Sequence, residues 1–386
     1  MKTALGMMVR NFNSPEPIVT FLKNAEKYGH KIDLVIIVSS GEFKREAASE
    51  IERQTGVPVK LTKINSADAE RKEFAEHGIS DKTTEKLLYC STQSNTGLVP
   101  YGFNRNVVLI QAILEKMDVL FYIDDDVAPY VLQNVDGRLT EKEVDFFGAH
   151  LAAIRKGADI TTSDYSGYNI LPYAYFDGMQ ELLTGLQKER MLEFWRHARM
   201  HKCLFLQHDE KPVAVHTKKV IGGNMAVSLR HKNKILPFFS PVYSLDGETF
   251  LARGEDTLIT SLGEKKGMQC VDVDMMIFHN TYGDYPEIPS LKNKRSTQER
   301  FFFACTGWIG RNPFWNFIEG TALESVRTRQ RANLIIGTKG LVRYTGNNRF
   351  SLLPRAYEAA WNSLPQMVVD YKETMDAWEE FISKAM

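Results

Sequence analysis

Residues 118–126, DVLFYIDDD, are the stretch that decides the fold. The apolar run VLFYI is followed directly by three carboxylates, Asp124, Asp125 and Asp126. Continuous apolar strands are typical of parallel sheets that helices cover on both faces. Such sheets bind their ligands at the carboxyl ends of the strands. The stretch therefore predicts a central buried strand with an acidic site at its end.

Strands and helices alternate on the amino-terminal side of this stretch. Three more apolar runs predict strands, TALGMMV at 3–9, DLVIIVSSG at 33–41 and VPVKLTKI at 57–64. Helical patterns separate these runs, and another, GFNRNVVLIQAILEK at 102–116, leads into the acidic strand. The alternation predicts the α/β class, with a doubly wound and mostly parallel sheet.

The chain after the acidic stretch is more mixed. Helical patterns cover 141–157 and 178–202, and apolar strands are predicted at 158–168 and 268–280. We expect a catalytic domain at 1–290, with a nucleotide-binding half at about 1–130 and an acceptor half at about 131–290. The tail, 291–386, is rich in aromatic and basic residues and is predicted to be a mainly helical extension.

The composition excludes several classes of protein. The chain has 48 Lys and Arg against 48 Asp and Glu, so no net charge favours nucleic acid or an anionic membrane. Its 4 cysteines form no CxxC motif, and no run reaches the ~20 apolar residues of a membrane span. We expect a cytoplasmic protein. Peripheral contact with the cytoplasmic face of a membrane, acceptor binding and dimer formation are all open roles for the tail.

The three adjacent carboxylates are the strongest chemical signal. At the end of one strand they repel each other, and a bound divalent cation would relieve that repulsion. Carboxylates prefer hard cations such as Mg²⁺ or Mn²⁺. The alternative is an acidic turn in solvent, which the position behind a buried strand disfavours.

Three weaker signals follow in order along the chain. Gly222-Gly223-Asn224 permits a tight turn that lets a ligand approach the backbone, or it is a plain hairpin turn. Glu255 and Asp256 start a predicted helix, where a carboxylate serves as a general base or as an ordinary cap. His279 ends the last strand, as a ligand for a Mn²⁺-like ion or as a structural residue.

The order of these motifs resembles that of GT-A-fold glycosyltransferases, most closely the inverting family 2 type. The resemblance covers roughly residues 1–285. It implies a Rossmann-like sheet of the nucleotide-diphospho-sugar transferase kind and the transfer of a hexosyl group to an acceptor hydroxyl. It also implies a UDP- or GDP-linked sugar as donor and Mn²⁺ or Mg²⁺ as cofactor.

The resemblance assigns roles residue by residue. Asp256, with Glu255 beside it, matches the acidic motif that provides the base in inverting members. The metal site is implied at three positions, Asp124, Asp126 and His279. The remaining implied positions face the nucleoside, the donor sugar or the acceptor: Arg10, Asn11, Ser39, Arg105, Asp124, Asp125, Gly223 and Asn224.

Two features depart from the family pattern. The QXXRW motif on the acceptor side is missing, although Arg295 and Trp308 lie in that region. The first strand is followed by RNFNSPEP rather than by an acidic segment. A nucleotidyltransferase of similar fold is one alternative, but it usually has a Gly-rich phosphate loop at that place. A catalytically inactive nucleotide-sugar-binding protein is the other.

Overall fold

The computed structural model describes residues 1–172, 174–191, 214–218, 220–283 and 285–385. Within the predicted helix 178–202, a helix forms at Met179–Gly185 and a 3₁₀ turn at Glu189–Met191. The remainder of that prediction, 192–202, lies outside the described residues.

A nine-stranded sheet forms the centre of the described chain, in the order β3-β2-β1-β4-β10-β8-β13-β5, with β9 on β13. Two hairpins lie outside it, β6 with β7 and β11 with β12. The strands are β1 Thr3–Val9, β2 Leu34–Ser39, β3 Val59–Lys63, β4 Val119–Ile123, β5 Val127–Ala128, β6 Tyr130–Val135, β7 Arg138–Glu143, β8 Ile160–Ser166, β9 Val215–His216, β10 Asn224–Ser228, β11 Val242–Leu245, β12 Glu248–Leu251 and β13 Cys270–His279.

Helices cover the sheet and form the tail. Those that precede residue 290 are α1 Glu16–Lys27, α2 Arg45–Thr55, α3 Asp68–Glu76, α4 Asp81–Leu88, α5 Tyr101–Leu114, α6 Phe146–Arg155, α7 Met179–Gly185 and α8 Glu255–Lys265. Those of the tail are α9 Arg295–Ile318, α10 Glu324–Thr345, α11 Leu353–Asn362 and α12 Leu364–Ala385.

The continuous apolar strands are explained by two cores, one on each face of the sheet. In β2, Ile36 and Val38 pack in the core that contains α5. Val35 and Ile37 pack in the core that contains α1, α2 and α6. Because side chains alternate between the faces of a strand, burial on both sides requires an apolar residue at every position. The expected α/β class with a helical carboxyl-terminal stretch is confirmed.

The sheet changes direction next to the acidic strand. The strands β3, β2, β1 and β4 are parallel, as the alternation predicted. Beyond them, β10 is antiparallel to both β4 and β8, and Asn224 pairs with Ile123. Since β10 begins where β4 ends, the turn that precedes Asn224 meets the carboxylates that follow Ile123. The antiparallel strand thus supplies one wall of the site.

Two local predictions need correction. Residues 141–143, predicted as the start of a helix, belong to β7 in the hairpin with β6. The helix begins at Phe146, where Asp145 caps it by accepting a hydrogen bond from the Gly148 N–H at 2.9 Å. The sequence of residues 81–100 does not clearly predict a helix or a strand. Its first part forms α4, and the Ser80 hydroxyl caps this helix by accepting a hydrogen bond from the Thr83 N–H.

The tail packs into the same apolar core as α5 and α7. The indole N–H of Trp378 in α12 donates to the carbonyl of Ile235 at 2.9 Å. The carboxylate of Glu380 accepts hydrogen bonds from Ser80 and Thr83 at the start of α4. The division of the chain at residue 290 stays a prediction. None of the described helices combines the length and apolar character that a membrane crossing requires.

The contact between α10 and α7 generates a stability prediction at Gly337. A Cβ atom there would lie 2.3 Å from the backbone nitrogen of Leu182 and 2.4 Å from its Cα. A Gly→Ala change inside a helix normally adds up to ~1 kcal/mol to the free energy of unfolding. We expect Gly337→Ala to lower it by about 1–3 kcal/mol, because the backbone of α7 must move. Chemical denaturation measures the change.

Thr328→Ala, at an exposed position of the same helix, is the matched control. It should leave stability unchanged or raise it by a few tenths of a kcal/mol. A stabilised Gly337→Ala protein would show that α10 and α7 are not in this close contact.

Candidate active site

The site lies at the carboxyl edge of the parallel strands. Val9 at the end of β1 is paired with Ser39 at the end of β2. Met7 of the same β1 strand is paired with Ile123, the last residue of β4. Asp124, Asp125 and Asp126 follow Ile123 directly. The ends of β1 and β2 therefore meet the end of β4 at one edge of the sheet, although β4 ends more than 80 residues further along the chain.

Asp126 contacts an imidazole and a guanidinium. Its Oδ2 lies 3.2 Å from Nε2 of His279 and 3.3 Å from Nη2 of Arg300. A backbone hydrogen bond also joins the segment between β4 and β5 to the end of β13, since the Asn280 N–H donates to the Asp126 carbonyl at 2.9 Å. Burial alone would raise the pKa of Asp126, but His279 and Arg300 together hold it below its ordinary value. Asp126 is therefore a carboxylate at neutral pH.

The other two acidic side chains have raised pKa values. For Asp124 the first cause is burial, and Asp126 adds to it, although Arg105 acts in the opposite direction. For Asp125, burial and its two acidic neighbours raise the pKa to about 6. Three carboxylates so close together favour any cation that shares them.

Asp124 lies against the glycine turn that precedes β10. A Cβ atom at Gly223 would be 2.0 Å from Oδ2 of Asp124 and 2.7 Å from the hydroxyl of Tyr165. Only glycine lets the backbone come this close to the carboxylate. The glycine turn therefore contacts Asp124, and the predicted contact of Gly223 with the donor or acceptor stays a prediction.

A buried ion pair between α5 and α8 lies next to the acidic strand end. Arg105 in α5 is 3% exposed and Glu255 in α8 is 6% exposed. Nε of Arg105 donates to Oε1 of Glu255 at 2.8 Å, and Nη1 donates to the carbonyl of Gly222 at 2.7 Å. Nη2 of Arg105 lies 3.6 Å from Oδ1 of Asp124. One guanidinium thereby joins α5, α8, the glycine turn and the acidic strand end.

This burial bears on two predicted roles. Arg105 was expected to face the nucleotide and Glu255 to stand beside the base in catalysis. Each is buried and hydrogen-bonded to the other, and their predicted roles towards the nucleotide and the base stay predictions. Burial raises the pKa of Glu255 above its ordinary value even though the neighbouring Arg105 lowers it.

Asp256 is held by two backbone N–H groups. Its Oδ2 accepts from Gly222 at 2.9 Å and its Oδ1 accepts from Thr257 at 2.7 Å. The residue also lies in the first turn of α8, where the helix dipole favours negative charge. Oδ1 also accepts from the Thr257 hydroxyl at 3.4 Å, so Oδ2 is the oxygen that keeps a lone pair able to accept a proton.

The predicted nucleoside residues meet at the ends of β1 and β2. The hydroxyl of Ser39 donates to the Arg10 carbonyl at 3.1 Å, and Oδ1 of Asn11 accepts from the Glu42 N–H at 2.9 Å. Ser39 is fully buried, so it ties the two strand ends together rather than contacting a ligand. Arg10 and Asn11 are exposed at this edge.

Asn224 does not support its predicted contact with donor or acceptor. The residue is fully buried as the first of β10. Its amide N–H donates to the carbonyl of Asp164 at 3.0 Å, which ties β10 to β8. Sequence reasoning missed this because an Asn after two glycines looks like a turn residue, whereas here it is already in the sheet.

The donor set fits a divalent cation that takes only part of its ligands from protein. Among the described residues, no group of three or more His, Cys, Asp and Glu side chains is arranged to enclose a metal. Asp126 and His279 offer an oxygen and a nitrogen on one side. Mg²⁺ and Mn²⁺ accept such sites, because waters and substrate phosphates complete their coordination.

The sequence interpretation missed Arg300 as a site residue. Arg300 lies in the first part of α9, and nothing in the local sequence pattern distinguishes it from the other basic residues of the tail. Tyr165 lies beside the same site, with its ring centroid 4.4 Å from that of His279. Its hydroxyl is buried and has no hydrogen-bond partner among the described residues.

A groove of about 1030 Å³ lies elsewhere, between α4, α12 and the chain around Cys90. It is lined by none of the predicted site residues. The predicted site residues with charged side chains meet instead at the carboxyl edge of the sheet.

Comparisons with known proteins give similarity at the level of structure only. No family model and no curated protein matches the sequence. The chain is similar to glucosyl-3-phosphoglycerate synthase from Mycobacterium tuberculosis in complex with Mn²⁺, UDP and glucosyl-3-phosphoglycerate, with 11% identity and TM-score 0.39 over 84% of this chain and 81% of that one. The synthase in complex with Mn²⁺ and UDP-glucose has 12% identity and TM-score 0.39, over 84% and 80% of the chains.

A second protein, S. aureus TarS 1-349, is 14% identical with TM-score 0.36 over 95% of this chain and 92% of that one. At these identities and TM-scores the similarity does not extend to the donor, metal or acceptor of this chain.

The ion pair under the site generates a prediction at Glu255. We expect Glu255→Gln to lower the free energy of unfolding by about 3 kcal/mol, because Arg105 keeps its charge when its bonded partner is neutral. This loss of stability is at the lower end of the ~3–5 kcal/mol that breaking a buried ion pair costs, since the Asp124 carboxylate remains near the guanidinium of Arg105. Urea denaturation measures it.

Glu264→Gln removes an exposed ion pair, with Lys218, from the same helix and serves as control. That change should cost less than ~1 kcal/mol. Equal effects of the two substitutions would mean that Glu255 is not the counter-charge of Arg105.

Proposed function

We propose that the protein is a metal-dependent glycosyltransferase that moves a hexosyl group from a nucleotide-diphosphate sugar to an acceptor hydroxyl. The observation that carries the proposal is the pair of Asp126 and His279, 3.2 Å apart, which come from different strands and meet at the carboxyl edge of the sheet. Asp256 is a second carboxylate at this site, linked to Asp124 through Arg105 and the glycine turn.

Asp126 and His279 would hold the Mn²⁺ or Mg²⁺ ion. When bound, the ion supplies positive charge that stabilises the leaving nucleoside diphosphate. The guanidinium of Arg300 donates to Oδ2 of Asp126, the oxygen that His279 also contacts, and contributes a fixed positive charge next to the proposed metal site. Arg10 and Asn11, exposed at the neighbouring strand ends, are proposed to contact the nucleoside.

Asp256 is proposed as the general base of an inverting transfer. A base must be ionised, oriented and within hydrogen-bond reach of the acceptor hydroxyl. Two backbone N–H bonds orient the carboxylate, and the helix start favours its charge. The remaining lone pair of Oδ2 is proposed to accept the hydroxyl proton.

The metal assignment is tested by thermal shift with UDP, GDP, CDP, ADP and dTDP, each with and without Mn²⁺. We expect one diphosphate to raise the melting temperature, and only with metal, since a ligand at 100 times its Kd adds about 2.7 kcal/mol of stability. Asp126→Ala should abolish that shift, because it removes the oxygen ligand of the ion.

Asp81→Ala, at an exposed position at the start of α4, is the control and should keep the full shift. A metal-dependent shift of wild-type size in Asp126→Ala would contradict the metal assignment.

The base assignment is tested with Asp256→Asn. We expect metal-dependent diphosphate binding to remain and release of nucleoside diphosphate from the sugar donor to fall by about 10²–10⁴-fold. The amide can accept only one of the two backbone N–H groups, so a loss of about 1–3 kcal/mol in stability is also expected. The rate is therefore measured well below the melting temperature.

Turnover at the wild-type rate in Asp256→Asn would rule out the base assignment. Consumption of a nucleoside triphosphate with release of pyrophosphate would identify a nucleotidyltransferase instead. Donor binding without any turnover by the wild-type protein would identify a binding protein.

A further inference from the structure

Two arginines next to the proposed base have no carboxylate partner among the described residues. Arg253 lies three positions before Asp256, and Arg311 lies in α9 against the same loop. They differ from the other two arginines of the site, because Arg105 pairs with Glu255 and Arg300 pairs with Asp126. Asp256 is the acidic group that acts on the charge of Arg311, so the positive charge of the two guanidinium groups on this side of the site is balanced only in part.

The side chain of Arg253 is half-buried, and its guanidinium N–H groups donate no hydrogen bond to any described residue. Its backbone N–H donates to the carbonyl of Gly307 at 3.1 Å. Its side chain lies on that glycine, since a Cβ atom at Gly307 would be 2.4 Å from its Cγ. The guanidinium lies 5.9 Å from the ring centroid of Tyr101, and no side-chain hydrogen bond holds it within the described part of the chain.

Arg311 is 2% exposed and stands behind the same loop. Its Nη2 donates to Oδ1 of Asn312 at 2.8 Å, its guanidinium lies 4.7 Å from the ring centroid of Trp315, and its Nε has no partner. A Cβ atom at Gly254 would be 2.9 Å from its Cδ and 3.1 Å from its Nη1. Burial lowers the pKa of Arg311 to about 10, so it remains charged at neutral pH.

This arrangement costs stability unless an anion compensates it. Burying a guanidinium without an opposite charge is unfavourable, and a buried N–H without an acceptor adds to the cost. Two glycines make room for the two side chains, so the packing holds Arg311 against Gly254, two residues before the base, and Arg253 against Gly307. A guanidinium with free donors is well suited to bind a carboxylate or phosphate by two parallel hydrogen bonds.

We propose that the acceptor is a hydroxyl compound with an anionic group, a phosphate or a carboxylate, which Arg253 binds next to Asp256. Arg311, which is too enclosed for direct contact, adds its positive charge from behind. The inference rests on the proposed function and deepens it by giving the acceptor a chemical class. Binding of the anion by Arg253 would fix the position of the hydroxyl relative to the base, which is the main requirement for proton transfer.

The experiment compares glycerol, glyceric acid and glycerol 3-phosphate, three small alcohols that differ in charge. Each is added to the full-length protein with Mg²⁺ and the diphosphate that the thermal-shift panel identifies, and its binding is measured by calorimetry. Transfer from the matching sugar donor is then followed by mass spectrometry of the product. We expect one or both anions to bind and accept the sugar, and glycerol to do neither at the same concentration.

Arg253→Gln should weaken binding of the anion and raise its KM by about 10–100-fold, with kcat changed by less than a few fold and diphosphate binding unchanged. Arg253→Lys should restore part of the affinity, because it keeps the charge and loses the two-fold hydrogen bonding. Arg295→Gln is the matched control, since that side chain is 90% exposed on the same helix as Arg311, and it should behave as wild type.

Three results would overturn the proposal. One is that neither anion binds to wild-type protein that does bind the diphosphate, and another is that glycerol is used as well as the anions. The third is that Arg253→Gln weakens diphosphate binding as much as acceptor binding, which would assign Arg253 to the donor. Absence of any diphosphate binding by wild-type protein would instead refute the proposed function, and this inference with it.

Discussion

The hydrogen-bonded ion pair between Arg105 and Glu255 is the interaction on which the geometry of the site depends. It is buried between α5 and α8, and the same guanidinium reaches the Gly222 carbonyl and the carboxylate of Asp124. The Gly222 N–H in turn donates to Asp256. The acidic strand end and the proposed base are thus joined through one cation and the backbone of one residue, Gly222. Because a buried charge is tolerated only with good partners, any rearrangement of one element is opposed by the other three.

Electrostatics explains why this edge of the sheet is suited to a charged donor. Asp124, Asp125 and Asp126 repel one another, and this repulsion adds to burial in raising the pKa of Asp125 to about 6. Arg105 and Arg300 each balance one of the carboxylates. The balance is incomplete, which favours a divalent cation at the site. Under the function proposed above, that cation would also bind the phosphates of the donor, so acidic groups that repel a nucleotide on their own would become the means of binding it.

The sequence predicted those features that depend on local patterns. The strands β1 to β4 lie where the apolar runs are, and the carboxylates follow β4 as expected, because burial on both faces requires a continuous run. Features that depend on contacts between distant segments were not predictable. The burial of Arg105 depends on Glu255, 150 positions away, and a helical Arg next to Asn residues gives no sign of it. The enclosed Asn224 was likewise hidden, since only the antiparallel pairing of β10 with β4 places it inside the sheet.

The position of α9 shows that the tail is part of the site rather than an addition to it. Arg300, Gly307 and Arg311 are spaced by seven and four residues, so they share one face of the helix. That face contributes a cation to Asp126, room for Arg253 and a second cation near Asp256. A sheet without this helix would keep its carboxylates and lose most of the positive charge that opposes them. The chemistry of the sheet edge and the packing of the carboxyl-terminal helices therefore have to be considered together, because a shift of α9 by a single residue would remove all three contributions.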